Sequence, residues 1–247
     1  MELYAGNERA HRHVHLPGLE GDVIALPSEG REGGDLYALF SCGGERIARI
    51  VLADAVGHGF SASRIAAYVH RLLHELHDIR DTGALLAALN DAFLASQKPG
   101  APLRLTTVAT ANYDGDSGDF SYSYAAHPRM LLWRATLREW LPLGGDLEGG
   151  LPLGVTAGEV YSQQNVRLEP GDMVMAFSDA VTEVKAPDDT QFTAERFQHL
   201  AGSTASGLPH PISLHDLSEG LLKAIGRYHN SDKFEDDLTL LTLRRLS

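Results

Sequence analysis

Apolar residues recur along this chain with two different periods, one typical of strands and one typical of helices. Short apolar or alternating runs bounded by Gly, Pro, Asp or Ser predict strands, and the clearest are "GDVIAL", "GGDLYALF", "RIARIVLAD", "MVMAFSD" and "DDLTLLTL". After the third run, apolar residues recur every three or four positions. This period predicts a helix that starts at Ser61 or Ser63 and ends near Asp78. A second helix is predicted from Gly83 to Ser96.

The later segments repeat this mixture. "DGDSGD" separates two stretches rich in Thr, Val and Tyr, which indicates a β-hairpin. "ERFQHLAG" and "ISLHDLSEGLLKAIGRYH" have helical patterns, and "GSTASGLPHP" between them is typical of a loop. Many antiparallel strand signals together with clustered helices predict the α+β class, with helices packed on sheets. Because no obvious linker interrupts the chain, we expect residues 1–247 to form one domain.

Composition narrows the classes of function. The chain has 247 residues and a formal net charge of -12, from 21 basic and 33 acidic side chains. This charge repels nucleic-acid phosphates and anionic lipids, so we expect neither nucleic acid nor a membrane as a partner. The single cysteine, Cys42, excludes an internal disulfide. No segment resembles a signal peptide or a membrane span, and we therefore expect a cytoplasmic protein.

Acidic residues occur where the predicted strands meet turns. Carboxylates that converge at such strand ends repel one another unless a cation lies between them. Hard divalent cations such as Mg²⁺ or Mn²⁺ prefer oxygen ligands. An Asx-turn explains any single aspartate after a strand equally well, so the recurrence of the pattern is what indicates a metal site. The residues concerned are Asp35, Asp54, Asp179, Asp236 and Asp237.

Six short motifs place these acids in a wider context. The chain contains, in this order, "GGDLY", "ADAVGHG", "AHPRMLLW", "GLPLGV", "LEPGDMVMAFSDAVTE" and "DDLTLL". Each motif alone is a weak signal, but their order resembles the SpoIIE-like branch of the PPM family of metal-dependent protein serine/threonine phosphatases. The resemblance extends over Gly21 to Arg245. It implies two antiparallel β-sheets packed as a sandwich and flanked by helices, with two divalent ions at one end.

The resemblance also implies roles for individual residues. Asp54 is expected to bridge two Mn²⁺ or Mg²⁺ ions, and Ala55 to offer its backbone carbonyl. Asp54 and Asp179 are the expected catalytic residues. Asp237 stays open as a ligand in place of Asp236. The complete implied ligand set is Asp35, Asp54, Ala55, Asp179 and Asp236.

The implied function is hydrolysis of phosphoserine or phosphothreonine in a protein, by water activated between the two ions. The typical substrate of this branch is a phosphorylated anti-sigma-factor antagonist, and regulation by a separate protein or by homodimerisation is expected. The alternatives are a catalytically weak pseudophosphatase that acts as a protein-binding scaffold, and a hydrolase of small phosphoesters. Ala126 and Ala180 stand where many relatives have glycine, but neither position supplies a metal-binding side chain.

Cysteine and histidine patterns indicate other chemistry less strongly. A thiol phosphatase needs an arginine six positions after its cysteine, and that position after Cys42 is Ala48. His58, between two glycines, is interpreted as a structural neighbour of the site rather than a catalytic residue. Two further sets have the spacing of one helix face or one strand face, for which a solvated surface is a simpler explanation than a metal site. These are His70, His74 and His77, and His11, His13 and His15.

Overall fold

The computed structural model describes residues 1–42, 46–98, 100, 103–145 and 149–246. The strands of this part of the chain are β1 Glu2–Glu8, β2 Ala10–Leu16, β3 Leu19–Leu26, β4 Glu32–Cys42, β5 Ile47–Ala55, β6 Thr106–Asp114, β7 Asp119–Ala125, β8 Leu131–Arg134, β9 Glu139–Pro142, β10 Gln164–Arg167, β11 Met173–Phe177 and β12 Leu238–Arg245. The helices are α1 Gly59–Glu75, α2 Thr82–Ala95, α3 Ala180–Glu183, α4 Ala194–Gly207 and α5 Leu214–His229.

The strands form two antiparallel sheets of six strands each. The first sheet has the order β1-β4-β5-β6-β7-β10, and the second has the order β2-β3-β12-β11-β8-β9. Helices α1 and α2 pack on the first sheet, and α4 and α5 pack on the second. The predicted α+β sandwich with flanking helices is therefore confirmed.

Three apolar layers hold these elements together. One lies between the sheets, one between the first sheet and α1 and α2, and one between the second sheet and α3 to α5. Alternation along β5 shows the cause, because Leu52 belongs to the layer between the sheets whereas Val51 and Ala53 belong to the layer under α1. Burying each large apolar side chain contributes about 1.5–3 kcal/mol to the free energy of unfolding.

The predicted elements agree with the structure, with two instructive differences. The second helix and the "DGDSGD" hairpin are confirmed. The first helix begins earlier than predicted, at Gly59, because Gly57 and Gly59 adopt φ of 102° and 69° and turn the chain into the helix before Ser61. The segment "GSTASG" was predicted as loop, but it continues α4, because Phe197, Ala201 and Ala205 bury one face at four-residue spacing.

None of the helices in the described part of the chain has the length and apolar character needed to cross a bilayer.

Candidate metal centre

The pairing of β4 with β5 brings two of the predicted acids together. Asp35 lies opposite Asp54 in the antiparallel register, and residues paired in this way project their side chains from the same face of a sheet. Two residues further into each strand, Tyr37 and Leu52 belong to the apolar layer between the sheets. The two carboxylates therefore lie at the end of this layer, where the strands finish.

The second sheet supplies the other acids through the pairing of β11 with β12. The backbone N–H of Ser178 donates to the carbonyl of Thr239 at 3.0 Å, and the Thr239 N–H donates to Ser178 Oγ at 2.9 Å. These bonds fasten the end of β11 to the start of β12, and they bring Asp179 close to Asp236. The chain then enters the short helix α3, where the N–H groups of residues 182 and 183 donate to the Asp179 carbonyl.

The electrostatics show that these carboxylates are close neighbours. Burial, followed by the charges of Asp179, Asp236 and Asp237, raises the pKa of Asp54 to about 8. Burial, followed by the nearby acids Glu183 and Asp236, raises the pKa of Asp179 to about 6. Burial and the neighbouring Asp54 also raise the pKa of the Asp35 carboxyl well above its usual range. Each shift is in the direction expected for crowded negative charges without a counter-ion.

Asp237 is distinguished from Asp236 by its hydrogen bonds. Asp237 Oδ1 accepts from the backbone N–H of Ser28 at 2.7 Å and from Ser28 Oγ at 3.0 Å, and its Oδ2 accepts from the N–H of Gly34 at 2.5 Å. Protein donors thus satisfy both oxygens of this buried side chain, whereas Asp236 is exposed. Asp236 is therefore the carboxylate of the pair that is open to a ligand, and its assignment as a metal ligand stays a prediction.

Two glycines allow this close approach. A Cβ added at Gly33 would lie 2.6 Å from Asp237 Cγ, and one added at Gly34 would lie 2.9 Å from the carbonyl oxygen of Ala55. Both separations are shorter than side-chain carbons adopt, so only glycine fits here. The Ala55 carbonyl, which the sequence motif implies as a ligand, therefore lies at the end of β5 against Gly34, next to the acid cluster.

The donor set fits divalent cations. Both carboxylate oxygens of Asp35 are buried and accept no hydrogen bond of normal geometry from the described residues, although the side chains of Ser178 and Thr239 lie nearby. A buried polar atom without a partner is strongly disfavoured, and a cation would satisfy it. All the atoms concerned are oxygens, which suits Mg²⁺ or Mn²⁺ rather than a metal that prefers nitrogen or sulfur.

Two cavities open next to Asp179. One has a volume of about 310 Å³, and its lining includes Asp236, Glu183 and Lys185. The other has a volume of about 520 Å³, and its lining includes Thr107, His127 and Arg129. A cavity of about 720 Å³ lies elsewhere, around Arg49 and Asn112, and none of the clustered acids lines it. The cavities of about 310 Å³ and 520 Å³ therefore adjoin the cluster at Asp179.

The histidines near the motifs have structural surroundings. His58 Nδ1 lies 3.3 Å from Glu29 Oε2 on the surface. His127 is buried, and its Nδ1 is 2.7 Å from Thr107 Oγ1. Burial lowers the pKa of His127 to about 3, so the ring is neutral at physiological pH. Before it, Ala126 adopts a φ of 52°, in the left-handed region that favours glycine.

Ala180 and Cys42 need no catalytic role either. Ala180 is the first residue of α3, where no positive φ is required, so its methyl group is accommodated. Cys42 is a half-buried free thiol at the end of β4, the end opposite Asp35.

Sequence reasoning missed Asp237's supporting partner, Ser28, and the contribution of Glu183. Ser28 lies in the loop between β3 and β4, and its bonds to Asp237 join residues 209 positions apart. No local pattern indicates such a contact. Glu183 lies four residues after Asp179 in "SDAVTE", and the helical spacing of α3 is the signal that could have identified it.

Comparison with known proteins agrees with this geometry. The family model described as "Stage II sporulation protein E (SpoIIE)" matches residues 44–246. The chain belongs to the SpoIIE family. The predicted resemblance to the SpoIIE-like branch of the PPM phosphatases is thereby confirmed.

Individual relatives of this SpoIIE-family chain are moderately similar in sequence. The phosphoserine phosphatase RsbU of Bacillus subtilis (strain 168) is 27% identical over an alignment of 238 residues, and the match covers 92% of this chain and 63% of RsbU. The structure of the RsbU and RsbW domains of Rv1364c from Mycobacterium tuberculosis has a TM-score of 0.76 and 26% identity, over 99% of this chain and 64% of that one. This chain thus spans slightly under two thirds of each relative.

A more distant structure shares the fold alone. The catalytic domain of the serine/threonine protein phosphatase PstP, in complex with two manganese ions, has a TM-score of 0.62 and 17% identity. The alignment covers 93% of this chain and 99% of that domain. The arrangement of two sheets with flanking helices is therefore shared with both solved structures.

Proposed function

We propose that this chain is a metal-dependent protein phosphatase that removes phosphate from phosphoserine or phosphothreonine. The observation that carries the proposal is the convergence of Asp54, Asp179 and Asp236 from two sheets on one end of the sandwich, with Asp35 buried beside them. Membership of the SpoIIE family supports it. The proposal treats residues 1–247 as a single phosphatase domain.

In this proposal each residue has a defined task. Two Mn²⁺ or Mg²⁺ ions would activate water for attack on phosphorus and offset the charge of the phosphoryl oxygens. The residues that would hold the ions, as the family resemblance implies, are Asp35, Asp54, the Ala55 carbonyl, Asp179 and Asp236. Asp237 is a positioning residue, because its bonds to Ser28 and Gly34 hold the loop before β4 against the start of β12.

The cavity of about 520 Å³ beside Asp179 is the proposed entrance for the phosphoester. Arg129 lines it and supplies positive charge in a protein whose net charge is -12. Arginine forms strong, geometrically specific pairs with phosphate oxygens. The phosphoryl group would therefore be held between Arg129 and the metal ions, with Asp179 at the boundary.

The proposed substrate is a phosphorylated regulatory protein, such as an anti-sigma-factor antagonist. Support comes from the similarity to RsbU, which is named a phosphoserine phosphatase, and to a protein that joins an RsbU domain to an RsbW domain. Regulation by a separate protein or by homodimerisation, and a cytoplasmic location, stay predictions. No observation favours the pseudophosphatase alternative, because the full set of acids is present and clustered.

The test compares hydrolysis of an arylphosphate and of a phosphoserine protein, with and without Mn²⁺, by the wild type and Asp54→Asn. We expect metal-dependent turnover of both substrates by the wild type, and a loss of at least 100-fold in the variant, since a bridging ligand is removed. Asp172→Asn is the matched control, because Asp172 is a buried acid before β11 that lies outside the cluster.

Three results would contradict the proposal. Equal rates for the wild type and Asp54→Asn would remove the catalytic assignment of Asp54. Metal binding without turnover of either substrate would indicate the scaffold instead. Turnover of the arylphosphate alone would indicate a hydrolase of small phosphoesters.

A further inference from the structure

A second cluster of metal-ligand side chains lies on the other face of the second sheet. Asp22 of β3 projects away from the layer between the sheets, on the side where α5 packs, and His11 of β2 and His215 of α5 converge on it. Asp22 pairs with Thr242, which is five residues along β12 from Asp237. At 3.4 Å per residue this is about 17 Å from the carboxylate cluster.

The ligand atoms of these three side chains lie near the spacing of a tetrahedral metal site. His11 Nε2 lies 3.1 Å from Asp22 Oδ2 and 3.1 Å from His215 Nδ1, and His215 Nδ1 lies 3.8 Å from Asp22 Oδ1. Bonds of about 2.0–2.1 Å to a tetrahedral Zn²⁺ place its ligands about 3.3 Å apart. The two histidine rings are stacked with centroids 4.6 Å apart, an arrangement that holds His11 Nε2 next to His215 Nδ1.

A fourth side chain orients one of the histidines. Glu219 Oε1 lies 3.3 Å from His11 Nδ1, the ring nitrogen that does not face Asp22. A carboxylate in this position accepts the N–H of Nδ1 and leaves the lone pair of Nε2 directed at the cluster, as in many metal sites. Lys223 in turn lies 3.1 Å from Glu219, which fixes this carboxylate on α5.

Burial and access also suit a bound ion. The Asp22 side chain is only 2% exposed, whereas the side chains of His11 and His215 are 30% and 61% exposed. The carboxylate therefore forms the floor of the cluster, and the imidazoles form a rim that solvent can reach. A buried carboxylate needs positive partners, and a divalent cation on this open side would supply the charge.

We propose that His11, Asp22 and His215 form a binding site for Zn²⁺ or a similar divalent transition metal, with Glu219 orienting His11. Two imidazole nitrogens favour such a metal over the Mg²⁺ or Mn²⁺ expected at the all-oxygen centre. Three protein ligands leave one position for water. The bound ion joins β2, β3 and α5, so it stabilises the packing of α5 on the second sheet.

The other cluster of this kind in the described part of the chain differs in one decisive respect. His70 and His74 on α1 both approach the same oxygen, Glu2 Oε2. The Glu2 side chain is 29% exposed, so water can satisfy it, whereas the Asp22 side chain of the proposed site is only 2% exposed. The Glu2 cluster therefore serves as an internal comparison in the test.

The test measures Zn²⁺ binding to the full chain in saturating Mg²⁺, which occupies the carboxylate centre. Calorimetry gives the stoichiometry of Zn²⁺ binding, and thermal unfolding gives Tm. The visible spectrum of Co²⁺ bound in place of Zn²⁺ reports whether nitrogen atoms are ligands. At free Zn²⁺ about 100-fold above Kd we expect Tm to rise by about 5–10 °C. His215→Ala is expected to lose one equivalent of Zn²⁺ and this rise in Tm.

Matched variants make the result specific. His13→Ala, on the same strand as His11, and His74→Ala, in the Glu2 cluster, are expected to keep the wild-type stoichiometry and Tm shift. Glu219→Gln is expected to weaken Zn²⁺ binding by about 10- to 100-fold without abolishing it. The proposal is overturned if His215→Ala keeps the full stoichiometry and Tm shift, or if Zn²⁺ does not raise the Tm of the wild type. Metal-free Tm values establish that each variant is folded.

Discussion

Replacing Asp54 with asparagine is expected to change the stability of this protein in opposite directions with and without divalent metal. In the metal-free fold, burial and the neighbouring acids Asp179, Asp236 and Asp237 raise the pKa of Asp54 to about 8. The folded state therefore binds a proton that the unfolded state, with a pKa near 3.9, releases at lower pH. As pH rises from about 4 to about 8, the unfolded chain loses this proton before the folded chain does, so the free energy of unfolding of the wild type falls. Asparagine does not ionise, so the variant does not lose this stability.

The magnitude follows from the two pKa values. At pH 7 the unfolded carboxyl is about three pH units above its pKa, and each unit corresponds to 1.36 kcal/mol, so the upper bound is about 4 kcal/mol. Structural relaxation and contact with solvent reduce this value, and we expect Asp54→Asn to gain about 2 kcal/mol in free energy of unfolding at pH 7 in EDTA. This gain corresponds to a Tm increase of about 4–8 °C for a chain of this size.

The assay is urea and thermal unfolding of the wild type and Asp54→Asn, in EDTA and in Mn²⁺, between pH 5 and pH 8.5. The advantage of the variant in EDTA should be greatest near pH 8 and should disappear towards pH 4. In Mn²⁺ the order should reverse, because the wild type gains binding free energy and the variant loses a ligand.

The control is Asp172→Asn, which changes a buried acid that is well paired. Asp172 accepts hydrogen bonds from Arg134 Nη1 at 2.7 Å and from the backbone N–H groups of Ala135 and Glu169 at 2.9 Å. Its replacement should lower the free energy of unfolding by about 1–3 kcal/mol, with or without metal. The reasoning is refuted if Asp54→Asn is less stable than the wild type in EDTA at pH 8, or if Mn²⁺ stabilises both equally.

Three further predictions follow from the same geometry. Metal binding should release protons, and the affinity should rise from pH 6 to pH 8, because the pKa values of Asp179 and Asp54 are about 6 and about 8. Calorimetry in buffers of different ionisation enthalpy measures the number of protons released. Identical heats of binding in all buffers would contradict the prediction. Gly33→Ala should lower the free energy of unfolding in urea by at least about 2 kcal/mol and reduce phosphatase activity, because the new Cβ would lie 2.6 Å from Asp237 Cγ. Gly202→Ala is the control: it lies in α4 with open space around it, and should raise the free energy of unfolding by up to about 1 kcal/mol. Burial lowers the pKa of His127 to about 3, so below pH 6.5 the folded state binds fewer protons than the unfolded state. The free energy of unfolding should therefore fall by about 2 kcal/mol as the pH is lowered from 6.5 to 5. His127→Gln should flatten this slope, and an unchanged slope would argue against a neutral buried ring.

The strands and helices could be predicted because their patterns are local. The apolar run in "RIARIVLAD" and the helical period after it depend only on which residues face the nearest apolar layers, and β5 and α1 follow from them. The two errors have local structural causes as well. The positive φ values of Gly57 and Gly59 start α1 early, and the burial of Ala201 and Ala205 extends α4 through residues that favour turns.

The candidate site could be predicted only in part. The motifs and their order along the chain indicated the acids, because each acid lies within one motif, at the end of a strand. The distinction between Asp236 and Asp237 could not be predicted, since it depends on bonds from Ser28 and Gly34 across more than 200 residues. The same is true of the second cluster, where His11 showed an alternating pattern but nothing in the sequence connected it to His215.

The sequence by itself therefore determined the α+β class and the acids at the strand ends, because periodicity and turn signals are properties of neighbouring residues. The order of its motifs indicated the family, and the family resemblance implied the two-sheet sandwich. Only the tertiary structure decided which carboxylates lie together, which one the protein satisfies with its own N–H groups, and that Asp22 meets His11 beneath α5. These outcomes depend on strand register and on how helices pack against sheets. Such contacts join distant residues, and their energies are set by burial and by charges that no local pattern records.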